Sequence, residues 1–130
     1  MQARHRRPQA GMTMLEIMIV LAIIALVMGL VVGPKVMEHY RSAERNVARL
    51  AVHRYADQDY PTWLVEHPGA QCPDSLAQIS LSRPIPADPW GTDYKMYCGA
   101  NAPRDDISFG AASFGDDRRE ATRDDIRSWD

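Results

Sequence analysis

Residues 12–33 lie within the stretch "GMTMLEIMIVLAIIALVMGLVVGPK" and hold one charged side chain, Glu16. About 20 apolar residues, each rising ~1.5 Å, span the ~30 Å hydrocarbon core of a bilayer. A soluble core helix rarely reads this way, so the run is expected to be a membrane-crossing helix. The chain is 45% hydrophobic, but that content is concentrated here, and the chain beyond residue 33 is ordinary polar sequence. The part left to fold in water, about residues 55–130, is close to the lower size limit for a domain, where a disulfide or metal is often needed. One small module is expected there.

The segment before the run, "MQARHRRPQA", carries Arg4, Arg6 and Arg7. Cationic flanks stay on the cytoplasmic side of a membrane, so the N-terminus is expected to face inward. An ordinary secretory signal places a small-residue cleavage site after its apolar region, and "VVGPKVMEHY" offers no A-x-A pattern. Read from composition alone, the leader is equally a plain uncut signal anchor. Glu16 is the anomaly. An ionised carboxylate in hydrocarbon costs at least a few kcal/mol, so it needs a partner or must snorkel into the headgroups.

The order of elements adds a resemblance. A basic leader ends in Gly11, Met12 follows, and Glu16 is the fifth residue counted from Met12. This resembles the class III signal of type IV pilins and pseudopilins. The resemblance implies that a prepilin peptidase cuts between Gly11 and Met12 and methylates the new amine. The apolar segment would then remain as an assembly helix. It also implies a partner for Glu16, the N-terminal amine of a neighbouring subunit in a filament. Loss of the three leader arginines would leave the mature chain more acidic than its formal charge of −2.

Gly33-Pro34 can bend a helix, but the pattern beyond it continues to read as helical. Val36, Tyr40, Ala43, Val47, Leu50 and Ala51 recur at three- and four-residue steps, with Arg41, Glu44, Arg45 and Arg49 between them. This stripe is expected to pack as core. A helix from Met12 to about Asp57 would be roughly 70 Å long. The proline in "QDYPTW" is expected to end it by about Asp59. Asp74 or Ser75 can cap a short helix through Ile79. "TDYKMYC" alternates, with Tyr94, Met96 and Cys98 on one face and Lys95 and Tyr97 on the other, as a strand does. Weaker strand signals surround "DISF" and "AASF".

The expected fold is α+β and pilin-like: a long N-terminal helix packed on a small antiparallel sheet with a loop-rich C-terminus. The expected segments are a leader at 1–11, a transmembrane and assembly helix at 12–33, an amphipathic continuation at 34–58 and a soluble periplasmic domain at 59–130.

Cys72 and Cys98 both lie beyond the membrane segment, and in an oxidising periplasm they can pair. Closing a loop of about 25 residues should stabilise by roughly 3 kcal/mol. No Cys or His stands near either at zinc-ligand spacing. Free buried thiols are the remaining alternative.

Two further segments narrow the resemblance. "IPADPWGTDY" is similar to the D-P-W-G-x-x-Y segment of the major pseudopilins of type II secretion systems, and "SFGDDRREATRDDIRSWD" is similar to that family's closing segment. The likeness covers residues 11–58 and 85–130. It implies a structural subunit that forms a homopolymeric periplasmic fibre anchored in the inner membrane, together with minor pseudopilins and the inner-membrane secretion platform. A minor pseudopilin or a type IV pilus pilin shares the same N-terminus and is the alternative. The family binds calcium at the loop spanning residues 114–126, and Asp117, Asp124 and Asp125 fall on its motif positions. Such oxygen ligands suit a hard cation at 2.3–2.6 Å. This chain departs from the pattern, with Arg118 and Ala121 where glycines are usual and Arg123 beside the acids. A salt-bridged loop without metal is therefore an open alternative. Trp90 and Trp129 are expected as core or rim aromatics without chemistry.

An enzyme is not expected. His5, His39, His53 and His67 are scattered, and no Gly-rich phosphate loop, H-E-x-x-H or G-x-S-x-G occurs. Neighbouring acids at Asp105-Asp106, Asp116-Asp117 and Asp124-Asp125 could serve a membrane-tethered hydrolase or metal-binding module, but a domain this small has little room for a pocket. The acidic balance disfavours nucleic acid.

Overall fold

A computed structural model describes residue 11 and residues 13–81 and 84–130. The leader at 1–10 and Met12 of the expected cleavage site lie outside the described residues. The chain divides into two compact units between His39 and Tyr40.

Helix α1 runs Met14–Arg54 without a break at Pro34. Thr13 and Glu16 form its N-terminal turn, since the Glu16 amide donates to Thr13 Oγ1 at 3.3 Å and the Ile17 amide to the Thr13 carbonyl at 3.2 Å. This satisfies backbone donors that a helix start leaves open. In the first unit the helix buries none of its apolar side chains, and Leu15, Met18, Leu21 and Leu30 are all exposed. By length and composition it can cross a membrane.

In the second unit the chain does not stop at Asp59 as expected. The helix widens into a π-turn over Tyr55–Asp59 and continues as α2, Tyr60–Glu66. The Tyr60 amide donates five residues back to the Tyr55 carbonyl, and Pro61 stands in the first turn of α2. The missing N–H of a proline is tolerated there, and one extra residue in the turn relieves the crowding that would otherwise break the helix. Helix α3 covers Leu76–Ile79. The Asp74 amide donates to Gln78 Oε1, and Gln78 Nε2 donates back to Asp74 Oδ2, both at 2.9 Å.

The sheet has three antiparallel strands in the order β1 (Lys95–Cys98), β2 (Phe109–Ser113), β3 (Ile126–Arg127). Lys95 pairs with Ala112 and Cys98 with Phe109, while Ser113 pairs with Ile126. The two weak strand signals differ in outcome: "AASF" falls largely within β2, whereas "DISF" forms only an isolated bridge between Arg104 and Ile107 before Phe109 begins the strand. Strand β3 was not expected, because two residues carry too little pattern to read.

The core joins Ala48, Val52 and Tyr55 of the helix to Tyr60, Trp63, Leu76, Ile79, Tyr94, Phe109 and Ala111. Tyr60 stacks on Phe109 at 4.2 Å, and Tyr55 meets Tyr94 edge-on at 5.7 Å. The expected core stripe is corrected here. Val36, Tyr40, Val47 and Leu50 are more than half exposed, whereas Ala48 and Val52 are fully buried and Ala51 is partly so. The covered face of the helix is thus Ala48, Ala51, Val52 and Tyr55, one face at helical spacing. Alanines allow close approach of the sheet and loops. The larger apolar residues are left on a different face.

Candidate functional site

At the helix start, Glu16 occupies the first turn of α1 and is exposed. A carboxylate there sits near the positive end of the helix dipole, which partly compensates its charge. Among the described residues it has no ion-pair partner. Gly11 is exposed, with nothing within 4 Å of where a side chain would begin. The sequence pattern T-x-x-E at Thr13–Glu16 is itself a readable helix-start signal.

Cys72 and Cys98 are joined, with an S–S distance of 2.10 Å. The bond ties the loop after α2 to the end of β1, where Tyr60 Oη also donates to the Gln71 carbonyl at 2.7 Å. Both residues expected to pair therefore do so.

The turn before β1 is organised by Asp88, which is buried. Its Oδ1 accepts the amides of Thr92 at 2.7 Å and Trp90 at 3.1 Å, and its Oδ2 accepts the Ser113 hydroxyl at 2.7 Å. Ser113 Oγ in turn accepts the Gly115 amide at 3.3 Å. The D-P-W-G segment is thus a turn whose acid is fully hydrogen-bonded and wired to the last residue of β2. Burial of a carboxylate is tolerable on those terms.

The acidic loop begins just beyond Ser113. Asp124 Oδ2 accepts the Asp117 amide at 3.0 Å, and Asp117 Oδ1 accepts the Arg119 amide at 2.8 Å. Asp125 Oδ2 accepts the Ala121 amide at 2.9 Å and pairs with Arg127 at 3.1 Å, with the Asp125 side chain only 4% exposed. The Thr122 hydroxyl lies 2.7 Å from Asp124 Oδ1, 3.2 Å from Asp125 Oδ1 and 3.2 Å from the Arg119 carbonyl. Arg118 and Ala121 adopt left-handed backbone, at φ 57° and 64°. Each such non-glycine position costs about 1–2 kcal/mol. The loop therefore keeps the turn shape that glycines would favour, and its hydrogen bonds offset the strain. The amide of Asp117 and the hydroxyl of Thr122 hold the Asp124 carboxyl below the usual carboxylate range.

These three acids do not fit calcium in this arrangement. Their oxygens face loop amides, a hydroxyl and a guanidinium, and among the described residues no three acidic, histidine or cysteine side chains are grouped to hold a metal. A calcium ion wants six to eight oxygens around it.

Within the same loop, Glu120 accepts from Lys95 Nζ and from Tyr97 Oη, the latter at 2.8 Å. Tyr97 also meets Trp129 edge-on at 5.2 Å, and Trp129 packs over Gly110 so closely that a side chain there would overlap it. Asp88 and Trp90 stand in the D-P-W-G motif and Ser113 opens the closing segment, but the contacts of Ser113, Thr122, Glu120 and Arg127 carry no signal of their own, since their partners are distant in sequence or depend on a left-handed turn.

Residues 6–32 match the prokaryotic N-terminal methylation motif, and residues 35–129 match the family described as type II secretion system (T2SS), protein G. The chain is 32% identical to type II secretion system core protein G of Pseudomonas aeruginosa, covering 97% of this chain and 99% of that protein. It is also 32% identical to the core protein G of Escherichia coli K12 over 93% and 91%, and 30% identical to that of Dickeya chrysanthemi over 95% and 88%. No solved structure matches the chain.

Proposed function

The chain belongs to the protein G family of type II secretion systems, structural pseudopilins rather than enzymes, and from that premise we propose how its parts serve assembly. Prepilin peptidase cuts between Gly11 and Met12 and methylates the Met12 amine. The helix then holds the subunit in the inner membrane with its N-terminus cytoplasmic and residues 59–130 periplasmic. Copies of the chain leave the bilayer by stacking their apolar helices into a helical homopolymer, the periplasmic pseudopilus, alongside minor pseudopilins and the inner-membrane secretion platform.

The observation that supports this reading most is the helix start. A long, exposed apolar helix carries a single acid in its first turn, without an ion-pair partner among the described residues. Glu16 then gains a charged partner only when a neighbour's methylated amine comes beside it, so assembly removes a penalty that the lone subunit bears in hydrocarbon. The exposed apolar side chains lose lipid and gain packed neighbours in the same step.

Mass spectrometry of membrane-extracted protein tests the reading. A chain that starts at N-methylated Met12 is expected. An intact leader in cells with active prepilin peptidase would sink it.

A further inference from the structure

We propose that the loop at residues 114–126 is closed by a metal-free cluster of Thr122, Asp124, Asp125 and Arg127, in the place where a divalent cation would otherwise gather the acids. Thr122 Oγ1 stands at the meeting point of three acceptors, Asp124 Oδ1 at 2.7 Å, Asp125 Oδ1 at 3.2 Å and the Arg119 carbonyl at 3.2 Å. The hydroxyl oxygen thus takes the point at which an ion bridging these acceptors would sit. The hydroxyl supplies one proton, which goes to the nearest acceptor, Asp124.

The remaining charge is met from outside the hydroxyl. Arg127 pairs with the nearly buried Asp125 at 3.1 Å, and the Ala121 amide donates to the same oxygen. The Asp117 amide takes the second oxygen of Asp124. Three of the four oxygens, both of Asp124 and Oδ2 of Asp125, therefore already have donors within the loop and β3. A calcium ion entering this arrangement must break several of these bonds and approach a fixed guanidinium, which is electrostatically unfavourable. The cluster concerns only the periplasmic loop and stands independently of the assembly role.

The test is thermal melting of the detergent-solubilised full chain, in chelator and in millimolar calcium, with calorimetric titration of calcium. The wild type is expected to melt at the same temperature in both and to give no binding heat. Thr122→Val keeps the side-chain shape and deletes the hydroxyl, and is expected to lower the midpoint by about 4–8 °C. A calcium-dependent rise in the wild type, lost in Asp117→Ala or Asp124→Ala, overturns the proposal. So does a Thr122→Val midpoint equal to that of the wild type.

Discussion

The Ser113 hydroxyl donates to Asp88 Oδ2 at 2.7 Å, joining the turn before β1 to the last residue of β2 with both side chains buried. Asp88 gathers three donors from two segments 25 residues apart. This single acid therefore sets both the turn and its attachment to the sheet.

Asp88→Ala is expected to strand the Trp90 and Thr92 amides and the Ser113 hydroxyl. Leaving buried polar groups unmet costs about 1–3 kcal/mol, and about 1 kcal/mol moves the melting midpoint by roughly 4–8 °C in a domain this size. Ser113→Ala should fall short of that loss, because Asp88 keeps its two amide donors. Equal midpoints for Asp88→Ala and the wild type in thermal melting would remove this account of the motif.

Gly115 and Gly69 both have positive φ, at 71° and 88°, but only Gly115 is crowded. A Cβ on Gly115 would overlap the backbone carbonyl of Asp124, whereas one on Gly69 meets nothing within 4 Å. Gly69→Ala should cost about 1–2 kcal/mol from backbone strain alone. Gly115→Ala should add about 1–3 kcal/mol of overlap and spread the acidic loop. Denaturant unfolding of the two variants checks the order.

The disulfide joins residues 26 apart in sequence. It should stabilise by roughly 3 kcal/mol by restricting the unfolded chain. The oxidised protein is expected to resist thiol alkylation without reductant, and reduction should lower its midpoint by about 10 °C or more. Alkylation of both cysteines in native protein would contradict it.

Two acids give opposite pH dependences. Burial raises Asp59 above its ordinary 3.8 more strongly than Arg54, 3.7 Å away, lowers it, and neither Asp59 oxygen has a hydrogen-bond partner among the described residues. Its folded form holds the proton more tightly than the unfolded chain, so this contribution is full below 3.8 and is lost as pH rises through the folded value. Asp124 is lowered below 3.8, so its contribution is full above that value and is lost as pH falls through the folded value. Relative to wild type, Asp59→Asn should gain stability on going from acid to neutral pH, and Asp124→Asn should lose it. Melting curves across that range would show the two trends crossing, and parallel curves would refute both assignments.

Glu16→Ala removes the acid but not the apolar helix. Membrane insertion and leader cleavage should persist, while fibre formation on overexpression should fall sharply. Electron microscopy of sheared fibres, with fractionation as the insertion control, makes the comparison. Normal fibres from this variant would leave Glu16 without the proposed role.

Much of the fold is legible in the sequence, but unevenly. The register of β1 follows from alternation, since Tyr94 is buried and Lys95 and Tyr97 reach Glu120 on the other face. The end of the helix does not follow from its proline, because a π-turn can absorb a residue that an α-turn cannot. The apolar stripe from Val36 to Leu50 defines a face, yet periodicity alone does not say whether the same chain covers it.

What the sequence determined by itself is therefore what local order can encode: a span-length helix with one acid near its start, a single small α+β unit after it, and the motifs that mark the family. Hydrophobic run length, alternation and turn residues act over a few neighbours, and they are readable in order along the chain. The tertiary structure alone decided which helix face the sheet covers, that Ser113 answers Asp88, that two residues at Ile126–Arg127 complete the sheet, and that Thr122 and Arg127 engage the acids. Each of those depends on groups brought together from distant positions. Their energy lies in geometry that no short window of sequence contains.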